Sequence, residues 1–594
     1  MSKDHLASMI RDSVKKFGDK TAMRYKEAGQ WKTITYRALG ERIQATAKAL
    51  LEEGIAEGDM VGIFSQNRPE WAIADFAILS IKAVSVPIYA TNTAHQTEYI
   101  VRDADLKLIF VGDQVQYDKV KSFKASQLQL GKIVTFDSGL KLQGDDAISM
   151  EAFLAKGRQS SRDPEVEEKI SAGQTGDIAT LIYTSGTTGD PKGAVLTHAN
   201  FFNQFFTIDD RFRVGTDDRS LCFLPLSHAY ERTWSYYIFR CGAENNYLSS
   251  PKDIVAFMPE VNPTCMVSVP RLYEKIYSTV YDRLEKAPEN RKKVFSWALG
   301  VGKEYAYKKK DKKPVGPFLK LKHALADRLV LSHIRAVVGG PKNFFSAGGA
   351  PLSQEIEEFF FAAGLLVCQG YGLTETSPMI SCNSPFGFKF GTVGRPIKGC
   401  EVKIGEDGEI LARGGNIMKG YYKKPKETQE AFVDGWFKTG DVGVIDEDGF
   451  LRITDRIKDL IITAQGKNIA PQHIETAIGK DHYIEQIAAI GDKRKYISAL
   501  IVPSFGPLEQ YAKEHGIGFS SREELVKKPE IIEFYTRRIN ELTTEFPNYE
   551  KIIRFTLVPN EFTQDGGELT PTMKIKRKVV AEKYKDIIDK MYEI

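Results

Sequence analysis

Short uninterrupted apolar runs alternate with stretches of helical spacing through the first 180 residues, and this alternation restricts the fold more than any other feature. Residues 36–51 place apolar side chains at helical intervals, with Gly54 as a stop. Val61-Gly62-Ile63-Phe64 reads as a short buried strand, and Pro69 opens a helix that runs through Ile81. Residues 84–89 and 108–111 are further strands. A strand–helix alternation of this kind predicts an α/β fold with a largely parallel sheet. Ligands of such sheets bind at the carboxyl ends of the strands.

One strand end carries unusual chemistry. Ile178-Ala179-Thr180-Leu181-Ile182-Tyr183 is strand-like, and Ala194-Val195-Leu196 resumes a strand. Between them stand Thr184-Ser185-Gly186-Thr187-Thr188-Gly189-Asp190-Pro191-Lys192-Gly193. The glycines let backbone amides approach a ligand closely and point at phosphate oxygens. Four hydroxyls add donors, and Lys192 adds a positive charge. A flexible surface turn rarely concentrates such groups between two buried strands. A Walker A loop is the competing phosphate site, but it needs Gly-Lys-Ser/Thr at its end. Here Pro191, which has no amide donor, precedes Lys192, and Gly193 follows it.

The bulk numbers exclude several classes. The 594 residues suggest about three to five structural units. Hydrophobic residues make up 42% and charged residues 27%, an ordinary globular composition. A net charge of +4 from 82 basic and 78 acidic side chains is too balanced to argue for a nucleic-acid partner. The six cysteines form no CxxC pair or zinc-like cluster, which fits reduced thiols in the cytoplasm. The N-terminus has no apolar signal core, and no uncharged apolar run approaches the ~18 residues of a spanning helix. The stretch 283–317 is strongly basic and contains Lys308-Lys309-Lys310-Asp311-Lys312-Lys313-Pro314, with Phe318, Leu319 and Leu321 beside it. It reads as a solvated face or as a peripheral contact with an anionic membrane surface. The texture changes near residue 440: a turn at 446–450, a strand at 451–454 and a charged link at 455–459 mark a domain boundary. The division expected is 1–455 and 456–594.

The loop at 183–193 resembles the phosphate loop of the adenylate-forming superfamily, which contains acyl-CoA synthetases, luciferases and peptide-synthetase adenylation domains. Other stretches are similar to that family's motifs in the same order. Ser346-Ala347-Gly348-Gly349-Ala350-Pro351-Leu352 resembles the segment against adenine, and Gln369-Gly370-Tyr371-Gly372-Leu373-Thr374-Glu375-Thr376 the segment around adenine and the α-phosphate. Gly435-Trp436-Phe437-Lys438-Thr439-Gly440-Asp441 resembles the ribose-binding turn, Asp455-Arg456-Ile457-Lys458-Asp459 the inter-domain hinge, and Leu569-Thr570-Pro571-Thr572-Met573-Lys574 the loop of the catalytic lysine. The resemblance implies a large N-terminal domain of α/β subdomains with an accessory β-barrel-like part, followed by a small mobile C-terminal α/β domain.

It also implies roles. A carboxylate would attack the α-phosphorus of ATP to give acyl-AMP and pyrophosphate, and a thiol would then displace AMP. Lys574 would supply positive charge to the first step. Glu375 would bind Mg²⁺ with help from the Thr184 hydroxyl. Asp441 and Arg456 would hold the ribose. Tyr371 and Thr374 would complete a nucleotide pocket that also includes Thr184, Ser185, Gly186, Thr187, Thr188, Gly189, Lys192, Gly349, Ala350, Pro351, Gln369, Gly370 and Gly372. Asp455 and Lys458 would form the hinge, and Gly466 would leave room for pantetheine. Leu224-Pro225-Leu226-Ser227-His228-Ala229-Tyr230-Glu231-Arg232 and Val267-Ser268-Val269-Pro270-Arg271-Leu272-Tyr273-Glu274 resemble the long-chain acyl-CoA synthetase branch. That places His228 at the carboxylate side, and Tyr230 and Trp234 in an apolar acyl pocket. The substrates implied are a fatty acid, ATP and CoA. A ligase loading a separate acyl-carrier protein, a non-catalytic lipid- or nucleotide-binding member and a luciferase-like oxygenase are the alternatives.

Overall fold

The computed structural model describes residues 4–593 apart from 127–128, 185–189, 249, 251–252, 341, 458–459, 466, 565 and 571–573. Its central sheet has seven strands in the spatial order Ala147–Ser149, Lys132–Thr135, Leu108–Val111, Met60–Phe64, Val84–Ile88, Ile178–Thr184 and Lys192–Thr197. All neighbours are parallel except the last pair, which forms an antiparallel hairpin. Met60–Phe64, Val84–Ile88 and Leu108–Val111 are buried along their whole length. That explains their continuous apolar character, because strands in parallel sheets are covered on both faces. The helix Tyr36–Glu52 is N-capped by Thr35 and ends before Gly54, whose φ is +79°. The helix Pro69–Ser80 starts on its proline and is buried on every side, which accounts for its lack of a polar stripe.

A second sheet orders Cys265–Ser268, Phe344–Ala347, Val367–Gly372, Met379–Cys382 and Arg395–Pro396, parallel over the first three strands and antiparallel after them. A third, wholly antiparallel sheet holds Cys400–Ile404, Glu409–Gly414, Phe432–Val433, Trp436–Ile445 and Leu451–Arg456 and supplies the barrel-like part. Here the structure corrects one reading. Asp455 and Arg456 are not part of a free link but the last rungs of a strand, paired with Val442 and Asp441.

Beyond it, a three-stranded sheet of Ile484–Ile490, Ile497–Pro503 and Ile552–Leu557 has its own apolar core, drawn from residues between Ile461 and Met591. This unit touches the larger one through polar contacts. Arg271 donates to the carbonyls of Gly479 (3.0 Å) and Glu485 (3.2 Å), Lys480 pairs with Glu355, and His482 lies 2.7 Å from Asp282.

The basic stretch is helical up to Lys310. Pro270–Glu285 leads to the 22-residue helix Glu289–Lys310, which folds back on the helix Pro317–Ala326, a π turn Asp327–Leu331 and the helix Ser332–Val337. No helix among the described residues is long and apolar enough to cross a membrane.

Candidate active site

The glycine- and hydroxyl-rich loop is the turn of the antiparallel hairpin in the central sheet. Tyr183 pairs with Gly193 and Thr184 with Lys192, so the sheet fixes both ends of the loop. The Thr184 hydroxyl lies 3.4 Å from the Lys192 carbonyl oxygen. A Cβ at position 193 would come within 3.1 Å of the Tyr183 ring, so glycine permits this tight pairing. Ser185, Gly186, Thr187, Thr188 and Gly189 lie outside the described residues. Deeper in the sheet, the buried Arg232 donates to Thr180 (2.7 Å) and pairs with Asp75. A buried charge held this way ties the strand that carries the loop to the helices Pro69–Ser80 and Ala229–Cys241.

A segment not singled out from the sequence, residues 418–422, closes on this hairpin. Tyr421 bridges Ala194, the Val195 amide donates to Gly420 (2.9 Å), and the Tyr422 amide donates to Gly193 (2.8 Å). The Met418 amide donates to the Glu375 carbonyl (2.8 Å), so one short stretch connects the loop to the Glu375 turn. The Tyr421 hydroxyl donates to Glu375 Oε1 (2.9 Å), and Lys192 Nζ stands 5.2 Å from the Tyr421 ring centroid. Burial and the adjacent Glu375 charge raise the Tyr421 pKa and keep the phenol a donor. Glu375 itself is buried on the 3-10 turn Thr374–Thr376, not a surface helix. The only local sequence signal for this staple is Gly420 before two tyrosines, because its partners are far away in the chain.

The Phe344–Ala347 and Val367–Gly372 strands run side by side and present the next two motifs together. The Gln369 amide accepts from the Leu352 amide (2.9 Å) and donates to the Leu352 carbonyl (3.2 Å). It thereby fixes the loop bearing Gly349, Ala350 and Pro351, which are exposed. Gly349 has a φ of +85°, a backbone conformation natural to glycine. Gly370 pairs with Cys382. Gly372 meets the Pro378 carbonyl so closely that a Cβ would lie 1.8 Å from its oxygen. The Tyr371 hydroxyl donates to Asp441 Oδ2 (2.6 Å), while Arg456 Nε lies 3.5 Å from Asp441 Oδ1. The pairing of the Trp436–Ile445 and Leu451–Arg456 strands creates that last contact, with Asp441 directly opposite Arg456.

Lys574 pairs with Thr570 across residues 571–573, which lie outside the described residues. The Thr570 amide donates to its carbonyl (2.8 Å), its amide donates to Thr570 Oγ1 (3.0 Å), and Leu569 bridges Ile575. Arg577 anchors the base of this pairing on Glu475 and the Ala489 carbonyl (2.8 Å). His228 caps the helix Ala229–Cys241, and its Nδ1 accepts from the Tyr230 amide (3.1 Å), which leaves Nε2 to carry the proton of the neutral ring. Burial and the nearby Lys574 ammonium lower the His228 pKa from 6.5 to about 4. The Lys574 ammonium is thus near enough to act on His228 electrostatically.

The Tyr230 hydroxyl is 2.6 Å from Ser346 Oγ, at the edge of the adenine-type segment. Trp234 donates from its indole to Ser220 (2.8 Å) and packs on Tyr237 and Phe344, placing it in the core. Asp455 accepts from the Arg456 amide (2.9 Å). Lys458 and Gly466 lie outside the described residues. No group of three or more metal-ligating side chains occurs among the described residues.

Similarity to known proteins follows the same lines. The AMP-binding enzyme family matches residues 10–422, and the AMP-binding enzyme C-terminal domain matches residues 458–594. The chain is 36% identical to the long-chain-fatty-acid–CoA ligase FadD15 of Mycobacterium bovis, covering 99% of this chain and 97% of that protein. It is 31% identical to human long-chain-fatty-acid–CoA ligase ACSBG2, over 99% and 92%. Among solved structures, the adenylation domain of a carboxylic acid reductase from Segniliparus rugosus, in complex with AMP and a co-purified carboxylic acid, superposes with a TM-score of 0.76 at 20% identity, over 99% of this chain and 94% of that one. An anthranilate CoA ligase in complex with anthranoyl-AMP superposes with a TM-score of 0.73 at 17% identity, over 98% of each chain. At those identities the structural likeness concerns the fold. The family matches and the full-length relatives, with the loop, the Glu375 turn and the Lys574 segment, place this chain in the AMP-binding, adenylate-forming enzyme family.

Proposed function

We propose that this protein activates a long-chain fatty acid with ATP to acyl-AMP and pyrophosphate, then passes the acyl group to CoA, releasing AMP. The observation that carries the reading is the 31–36% identity to long-chain-fatty-acid–CoA ligases over nearly the whole chain, with Glu375 held by Tyr421 beside the loop hairpin. The first step builds negative charge on the α-phosphoryl oxygens, and a fixed ammonium there stabilises it. Neutral His228 offers its Nε2 proton to an incoming carboxylate without adding charge of its own. The loop 184–193 holds phosphates, Asp441 accepts the ribose hydroxyls beside Arg456, and the exposed edge of Gly349, Ala350 and Pro351 lies against adenine.

Glu375 and Thr184 would hold a Mg²⁺ ion, which supplies charge neutralisation on the phosphates when bound. Their fit rests on chemistry: Tyr421 uses one carboxylate oxygen of Glu375, and the other is a hard donor of the kind Mg²⁺ takes alongside phosphates and water. The unit beyond the strand Leu451–Arg456 acts as a lid that turns about the segment at Lys458, withdrawing Lys574 and admitting a thiol past Gly466. Tyr230 borders the acyl side. The basic stretch 283–317 would contact an anionic membrane surface.

The test is purified enzyme with ATP, Mg²⁺ and CoA, scanned against carboxylic acids from acetate to long fatty acids. AMP should form only with CoA present and rise with chain length. AMP formation requiring an acyl-carrier protein instead would move the acceptor, and none with any acid would leave a non-catalytic binder.

A further inference from the structure

The helical hairpin that follows the basic stretch has an outer face unlike the rest of the surface. Phe318, Leu321, Leu325 and Leu329 are 69%, 71%, 51% and 50% exposed. They recur at intervals of three, four and four residues, so they form one stripe along the helix Pro317–Ala326 and the π turn after it. Single exposed apolar residues need no explanation, but an aligned row of four large ones does.

The stripe is not an unfilled piece of core. The opposite face already packs, through Leu319, Ala326 and Leu331, on Ala298 and Val301 of the helix Glu289–Lys310. His323 stacks on Tyr305 at 3.8 Å, which fixes the rotation of the helix. The outward direction of the stripe is therefore set by the fold.

Its charge surroundings identify the partner. Residues 303–335 hold ten Lys and Arg side chains against three Asp and Glu, a net +7, whereas the whole chain carries only +4. Lys322 Nζ lies 4.4 Å from the Phe318 ring centroid, so a cation rides directly beside the apolar row. On the helix, Lys322 falls to one side of the stripe and Arg328 to the other, where long cationic side chains can reach headgroups while the apolar row enters the acyl boundary. Some of this charge is internally paired: Lys303 with Glu358, Lys308 with Glu304, Lys313 with Asp311 and Arg335 with Asp327. A second copy of this chain would bring the same excess of positive charge to the contact, which disfavours self-association.

We infer that the hairpin docks on an anionic lipid surface, with Phe318, Leu321, Leu325 and Leu329 inserted at the headgroup–acyl boundary and the flanking cations on the headgroups. This deepens the membrane-contact reading of 283–317 by placing the apolar anchor on residues 317–331, and it does not depend on the ligase activity.

The full-length protein would be sedimented with vesicles of phosphatidylcholine containing about 30% phosphatidylserine, and with phosphatidylcholine alone. Binding should favour the anionic vesicles and fall at least about tenfold between ~50 and ~500 mM salt. The triple variant Phe318→Gln/Leu321→Gln/Leu325→Gln should lose at least about tenfold more, while Ile553→Gln, on another exposed apolar residue, should bind as the parent does. The triple variant should melt within about 2 °C of the parent, because its changes are on the surface. An environment-sensitive dye on Leu321→Cys should shift to shorter wavelength on anionic vesicles, a readout that keeps the parent hairpin intact. Absence of binding, or a triple variant within twofold of the parent, would overturn the proposal. Loss of binding only in Lys312→Glu/Lys313→Glu would keep the basic-stretch reading and remove the stripe. A dimer dissolved by the triple variant, without vesicle binding, would assign the face to a second copy and also overturn it.

Discussion

Tyr421 is the residue whose placement adds most to the site. It is the contact between the phosphate-loop strand and Glu375, and its hydroxyl orients the carboxylate. Tyr421→Phe removes a hydrogen bond to a charged group, worth about 1.5–3 kcal/mol, so kcat/KM for AMP release should fall roughly 10- to 100-fold. The Mg²⁺ concentration needed for half-maximal rate should rise as well. A variant within twofold of the parent would remove Tyr421 from the site.

His228 makes a second prediction through its charge. Its pKa in the folded chain is about 4, against 6.5 ordinarily, so as pH falls the unfolded chain takes up this proton first. The group therefore costs stability as pH drops from about 6.5 towards 4, and above that range it costs none. An NMR titration of His228 should show a midpoint near 4, and Lys574→Ala should move it upward while burial keeps it below 6.5. A midpoint near 6.5 that ignores Lys574 would contradict the approach of the two residues. Both candidates were legible in the sequence as residue types within motifs. The electrostatic link between them was not, because it depends on how two distant units pack.

At the scale of elements, the strands were readable because they are buried on both sides and leave continuous apolar runs. Thus 61–64 and 108–111 stand out without ambiguity, and so does the loop at 184–193 between two such runs. Residues 418–422 were not readable, since their function is to bridge elements remote in sequence. Asp455 and Arg456 read as a link because they are charged, yet they close an antiparallel ladder whose outer positions tolerate charge. Close packing of elements also gives a direct test. In Gly372→Ala, the new methyl would press on the Pro378 carbonyl, and overpacking of this kind costs about 1–3 kcal/mol. Thermal unfolding should occur at a lower temperature; an unchanged transition would mean that the Gly372–Pro378 approach is looser than described.

For the whole molecule, the proposed chemistry would depend on where the C-terminal unit sits. The contacts of Arg271 with Gly479 and Glu485, of Lys480 with Glu355 and of His482 with Asp282 hold the C-terminal unit against the larger one. They are polar and partly exposed, each worth about 1 kcal/mol or less. Arg271→Ala should slow carboxylate-dependent pyrophosphate exchange up to about fivefold and spare thiolysis of supplied acyl-AMP. Equal slowing of both would assign Arg271 to stability instead. The sequence marked the hinge motif and the lysine loop; it could not show which pose the two units take.

If Lys574 serves adenylation and not thiolysis, Lys574→Ala separates the two half-reactions when each is measured alone. Carboxylate-dependent exchange of pyrophosphate into ATP should be abolished, while release of AMP from supplied acyl-AMP and CoA continues. Loss of both half-reactions together, or survival of the exchange, would contradict it.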